Sequence, residues 1–253
     1  MRWLLGLVLV AAAAWSGLWF AGARMLDRAV ADVLAQAGPG VAAEGYAVRG
    51  FPNRFDVTVT APRLADAATG IAWSAPFVQS YALSYRPWHT IIAFPPEQRL
   101  AWPGAGLTLR AGKLQASLVL RPGTALSLDR LTVVGEALEV LPDQGPGATV
   151  ATLRFATRPD PTRAAAHEIG LAVSGIVPDA AATAALPPDA ALSGAAAELR
   201  LVATAVLSGP IDRFAAKAQP ALLRLDLTEV AFRWGGIVLS GSGTLAPDAA
   251  GLA

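Results

Sequence analysis

The chain has 253 residues, 54% of them hydrophobic, with 20 basic and 19 acidic side chains, two histidines and no cysteine. Its charge is nearly balanced and its arginines are scattered, which excludes the clustered positive field that nucleic-acid binding requires. Without cysteine there are no disulfides and no thiolate metal sites.

Residues 3–23 carry no charge and are bounded by Arg2 and Arg24. At about 1.5 Å rise per residue this run makes a helix roughly 31 Å long, matched to a hydrocarbon core of about 30 Å, so 1–23 is predicted to be a transmembrane anchor. Ala21-Gly22-Ala23 also has the small-x-small form of a signal-peptidase site, and a cleaved signal is the rival reading. Retention is preferred because a signal core runs about 7 to 15 residues. This run instead continues through Trp15, Leu18, Trp19 and Phe20, which together with Trp3 suit two interfacial aromatic belts. The expected location is the inner membrane, single-pass, with the bulk of the chain periplasmic. Either reading exports that bulk.

The helical pattern continues as a stalk over 24–40. Met25, Leu26, Ala29, Val30, Val33 and Leu34 recur at helix spacing before Gly38-Pro39-Gly40 breaks the element. This apolar stripe is expected to pack on the sheet that follows.

From Arg49 the period changes to two. Phe55, Val57 and Val59 alternate with polar residues; Phe77, Gln79, Tyr81, Leu83 and Tyr85 alternate with Val78, Ser80, Ala82 and Ser84; Leu107 and Leu109 alternate with Thr108 and Arg110. Further strands are read at 113–120, 126–134, 150–157, 168–174, 198–207, 222–232 and 237–240, separated by Gly- and Pro-containing turns. Regular short strands without intervening helices predict a mainly β, antiparallel fold behind the transmembrane and stalk helices. An Ala/Pro-rich stretch at 177–197 reads as a linker dividing a first β region, 41–176, from a second, 198–253. Residues 247–251 read as a turn toward a strand the chain does not contain, which leaves a sheet edge open to a partner.

Gly50-Phe51-Pro52-Asn53-Arg54-Phe55-Asp56-Val57, the stretch 73–77, and Tyr85-Arg86-Pro87-Trp88-His89 followed by Pro95-Pro96-Glu97-Gln98 together resemble an uncharacterised bacterial family, the domain-of-unknown-function family 2125. The resemblance covers the chain from the anchor to about residue 141 and resumes more loosely over 198–245. More distantly, the family resembles the AsmA-like envelope proteins. That resemblance implies an elongated, curved antiparallel β-sheet forming a periplasmic groove on an N-terminal membrane helix, associated with lipid handling.

Two non-catalytic roles follow. In the first, Phe77, Tyr81, Leu83, Leu107, Leu109, Leu118 and Leu120 line a track for acyl chains of membrane lipid. In the second, the same residues are ordinary core, and the protein is an envelope scaffold whose exposed sheet edges meet other envelope proteins. Arg54, Arg86 and His89 either fix turns and strands or contact anionic headgroups. Catalytic residues, cofactors and metal ligands are not expected. Two histidines cannot build the usual zinc sites, and no nucleophile elbow, phosphate loop or dinucleotide fingerprint occurs.

Overall fold

The computed structural model describes residues 1–36, 38–181, 195–248 and 251–252. Helix α1 (Arg2–Gln36) joins anchor and stalk without a break, as expected of a run rich in Ala, Leu and Val with no internal proline. It stops at a 3-10 turn, Gly38–Gly40, where glycine and proline oppose further helix.

Fifteen strands then form one sheet. They are β1 (Val41–Ala42), β2 (Gly45–Arg49), β3 (Arg54–Thr60), β4 (Arg63–Ala65), β5 (Ala72–Ser74), β6 (Phe77–Leu83), β7 (Arg86–Ala93), β8 (Glu97–Trp102), β9 (Ala105–Leu120), β10 (Leu128–Pro142), β11 (Ala148–Pro159), β12 (Ala166–Pro178), β13 (Ala197–Leu207), β14 (Leu222–Trp234) and β15 (Ile237–Leu245). A short helix α2 (Ala215–Ala218) lies before β14, and β16 (Pro247–Asp248) pairs with β17 (Gly251–Leu252) after β15. Of the stretch read as a linker, 182–194 lies outside the described residues, while Val177, Pro178 and Ala197 belong to strands. β12 pairs directly with β13, so the sheet runs unbroken past that stretch.

The pairing looks forked, because the first half of β9 bonds β8 and its second half bonds β7. It is better described as a crease. β7 and β8 form one line along β9, interrupted where Phe94-Pro95-Pro96 lacks ladder donors; Phe94 N–H donates to Leu114 C=O at 3.0 Å and Ala111 N–H to Pro96 C=O at 2.8 Å across the gap. β3 with β4 and β5 with β6 are broken likewise at Pro62 and Pro76, bridged by Ala61 N–H to Pro76 C=O at 2.8 Å and Ala75 N–H to Pro62 C=O at 3.2 Å. β1 and β2 continue the pattern, so four creased strands and the seven from β9 to β15 make an up-and-down antiparallel meander of eleven lines. With strands about 4.8 Å apart, the sheet is roughly 50 Å wide.

Beyond β9 the crease passes through Gly112, Ala137, Ala151 and Gly175, the row left out of the registers of β9 to β12. Ala137 has φ of 51° and Gly175 of 66°, a left-handed conformation that reverses the side on which the next residue stands. The reversal decides the chemistry of the two faces. In a plain strand Ala111 and Leu114, Gly135 and Leu138, Val150 and Leu153, or Val173 and Ile176 would point to opposite sides. Here Ala111, Leu138 and Val150 form the buried cluster, and Leu109, Leu114, Leu153, Val173 and Ile176 pack against it.

One face is therefore apolar from edge to edge. Val48, Val57, Ser80, Ile92, Ala116, Val133, Phe155, Leu171, Leu201, Val230 and Gly241 stand opposite one another in a single row through all eleven lines. The next row, on the other face, is mainly polar or small: Arg49, Asp56, Tyr81, Ile91, Ser117, Thr132, Ala156, Gly170, Val202 and Glu229. That second face carries cross-strand ion pairs, Arg110–Glu97, Lys113–Glu136, Arg158–Glu168 and Arg200–Glu229. All are exposed, so each contributes at most about 1 kcal/mol and mainly keeps that side wetted.

The sheet is curved and open. The apolar face is not sealed by a second layer: Leu107, Leu109, Leu118 and Leu120 remain half-buried, and Pro95 heads the side chains buried below 2% exposure among the described residues. One end of the sheet carries the turn at 50–53, the turn at 84–85 and the loops 121–127 and 208–221. The last two are tied together by Leu128 N–H to Ile211 C=O at 2.8 Å and Arg213 N–H to Ala125 C=O at 3.1 Å.

Candidate functional site

At that end α1 crosses the apolar face of the first strands. Trp19, only 7% exposed, donates its indole N–H to Arg54 C=O at 2.7 Å and stacks on Phe55 with ring centroids 5.7 Å apart. Its edge meets Phe20 and Phe51 at 5.2 and 5.3 Å. Trp15 donates to Pro52 C=O at 3.0 Å, and the Tyr46 hydroxyl to Asp27 C=O at 3.2 Å. A glycine at position 22 permits this approach, because a Cβ there would come within 2.8 Å of the Phe55 ring. The motif from Gly50 to Val57 thus has a structural use: it presents two carbonyls and two aromatic rings to the helix.

Beside this contact, helix and sheet enclose a cleft of about 730 Å³, within the range of roughly 300–1,000 Å³ typical of ligand cavities. Leu18, Met25, Leu26 and Ala29 form its roof; Val57, Ala82, Thr90 and Leu126 form its floor and rim. The stalk stripe packs on the sheet in part: Leu26, Val30 and Leu34 are half-buried, while Met25 and Val33 are exposed. The floor continues through Thr90 and Leu118 into the uncovered face of β10 to β15.

The predicted track residues separate into two groups. Leu107, Leu109, Leu118 and Leu120 share the apolar face, on the two sides of the crease. Phe77, Tyr81 and Leu83 lie on the opposite face, where Leu83 pairs with Arg54 and Tyr81 with Asp56. Tyr81 donates to Gln79 Oε1 at 2.7 Å and lies 5.7 Å from the Arg54 guanidinium. The larger part of the apolar surface comes instead from Val133, Phe155, Leu171, Leu201, Val230 and Phe232. These residues stand in plain alternation within their strands, and only the pairing register shows that they share one face with Leu118.

The three headgroup candidates also differ in setting. Arg54 is held by Asp56 at 2.7 Å, and His89 Nε2 lies 3.0 Å from Ser117 Oγ on the polar face. Arg86 is exposed beside Tyr85 and has no ion-pair partner among the described residues. His167 is buried with Nδ1 unpartnered, and burial, followed by nearby Arg121, holds its pKa below the ordinary imidazole value. Its neighbour Glu168 points to the other face and pairs with Arg158 at 2.6 Å, so the two do not form a catalytic dyad.

The fold and this surface define a class: a wide antiparallel meander, apolar on one face and ion-paired on the other, with a long apolar helix docked across one end. The chain matches DUF2125, described as an uncharacterized protein conserved in bacteria, over residues 19–253, and belongs to that family. No curated protein and no solved structure matches it.

Proposed function

We propose that the chain is a membrane-anchored protein of the bacterial envelope, its bulk periplasmic, whose open apolar face holds or passes lipid acyl chains without catalysing a reaction. The carrying observation is the apolar face: one row crosses all eleven lines and is half-buried from Val133 to Val230, and the crease keeps the apolar residues beyond it on the same side. A water-facing surface of this extent is costly at about 25 cal/mol per Å², and acyl chains are the apolar cover that a bilayer supplies. Retention of the helix is supported by its packing, because cleavage after Ala23 would remove Trp15, Trp19 and Gly22 from the first strands.

Photo-crosslinking side chains placed at Leu109 and Leu118 test this reading in native membranes, with Gln115 on the polar face as control. Lipid adducts are expected at the two leucine positions and not at 115. Protein adducts alone at both would overturn it.

A scaffold role has one observation in its favour. β15 ends the sheet with Val238 and Leu239 63% and 61% exposed, an uncapped edge suited to strand addition. The same crosslinker at Val238 separates the two: a protein adduct there, without lipid adducts at 109 and 118, selects the scaffold.

A further inference from the structure

The helix is long enough to span a bilayer, but its unencumbered part is not. Residues 1–14 are exposed along their whole length, and the first contact with the sheet is Trp15 on Pro52. Residues 2–14 rise roughly 20 Å, against a hydrocarbon core of about 30 Å. Placing the whole uncharged run in the bilayer therefore carries the turn that touches Trp15 and Trp19 below the membrane surface, by roughly 10 Å.

The side chains at that end suit the depth. Phe51, Tyr85 and Phe214 are 52%, 61% and 51% exposed, although aromatic residues of this size are normally covered. Among them stand cations without an ion-pair partner among the described residues, Arg86, Arg213 and Lys217, and Arg213 lies 4.5 Å from the Phe214 ring. Exposed aromatics beside unpaired cations are the pattern of a surface seated at the boundary between headgroups and acyl chains. Exposed apolar side chains also occur at the far end, Ile71 and Trp102 among them, but beside the turn 103–104 the cation Arg99 is paired with Asp143.

We infer that the sheet itself is a membrane element: its turn end, led by Phe51 and Tyr85, is immersed in the leaflet from which α1 emerges. This rests on the anchored reading above and deepens it. Tyr85, Pro87, Leu126, Trp15 and Leu18 border the cleft under α1, so immersion places its mouth among acyl chains. A chain would then reach the apolar face sideways from the leaflet without crossing water.

The absence of cysteine permits single-site labelling. Fluorophores on Phe51→Cys, Tyr85→Cys, Leu9→Cys and Gly104→Cys would be compared in phosphatidylethanolamine/phosphatidylglycerol vesicles, using lipid nitroxides near the headgroup end of the chain and aqueous iodide. Expected is several-fold stronger nitroxide quenching at 51 and 85 than at 104, with iodide showing the reverse order. Tyr85 makes no ring contact with α1, so its variant keeps the test valid if Phe51→Cys disturbs Trp19. If the labels at 51 and 85 behave like that at 104 while the one at Leu9 is lipid-quenched, immersion is refuted and the anchor stands. If Leu9 also escapes the nitroxide, the anchor fails and immersion with it. Acyl-chain contact is judged separately, by the adducts at Leu109 and Leu118.

Discussion

The two halves of the apolar face are treated differently by the same molecule. Over β2, β3, β6 and β7 it is roofed by α1, and Val57 and Trp19 are buried there. Over β10 to β15 the same rows continue with no helix above them among the described residues, and at β15 Ile237 and Leu239 are plainly exposed. The chemistry of the face is the same on both sides; the helix buries it at one end, while in the second half Leu138 and Val150 are buried where the crease folds the sheet on itself. A surface that the chain covers at one end and leaves open at the other has the form of an entrance and a continuation.

The sharpest break of that comparison is Trp19→Ala. It removes a buried ring, three aromatic contacts and a hydrogen bond to the Arg54 carbonyl, and is expected to cost about 3–5 kcal/mol. Leu239→Ala, on the uncovered half, should change stability by less than about 0.5 kcal/mol. Denaturant midpoints in detergent, followed by circular dichroism, check both. Equal losses would mean that the far half is covered after all.

Gly175 tests the crease by a smaller amount. At φ of 66° an alanine is strained, and its Cβ would come within 2.5 Å of the Ala151 Cβ. Gly175→Ala should therefore cost about 2 kcal/mol. Gly241→Ala, at a position without positive φ and with nothing within 4 Å, should be close to neutral by the same measurement.

The longer strands, their antiparallel pairing and the unbroken N-terminal helix were legible because each rests on local period and turn chemistry: Phe55-Val57-Val59 reads as a strand wherever it ends up, whereas β2, β4, β5 and β8 were not read. The crease was not legible as such. Pro62, Pro76 and Pro95-Pro96 mark it in the first strands, although the pairing continues beyond them. In β9 to β12 it depends on Ala137 and Gly175 adopting positive φ, a choice made by cross-strand fit that no single strand reveals. Pairing register, also invisible within one strand, is why Tyr81 and Leu118 looked alike in the sequence and face opposite ways: Tyr81 lines up with Ser117 through Ile91, and Leu118 with Ala82 through Thr90. The cleft was hidden for a similar reason. It needs Gly22 against Phe55, a contact between segments whose separate readings were membrane and strand.

The smallest expected effect concerns the open half at the end shared with α1. Asp226 accepts hydrogen bonds from Arg224 at 2.6 Å, Arg163 at 2.9 Å and the Thr244 hydroxyl at 3.0 Å, joining β14 to β15 and to the 160–165 turn. Arg224 first, then Arg163, hold its pKa down to about 2, from an ordinary 3.8. A lowered carboxylate pKa favours the folded state above the unfolded value, and the contribution disappears as pH falls through the folded one. Stability owed to this site is therefore fully present above about pH 4 and lost toward pH 2. Asp226→Asn should flatten the acid limb of a melting-temperature profile in that window and leave its shape between pH 5 and 8 unchanged. The Trp19 contacts contain no titrating group, and the difference between the acid limbs of variant and parent separates Asp226 from the other carboxylates held low, Asp66, Asp143 and Asp160; an unaltered limb in the variant would remove Asp226 as the tie that holds β15 in place.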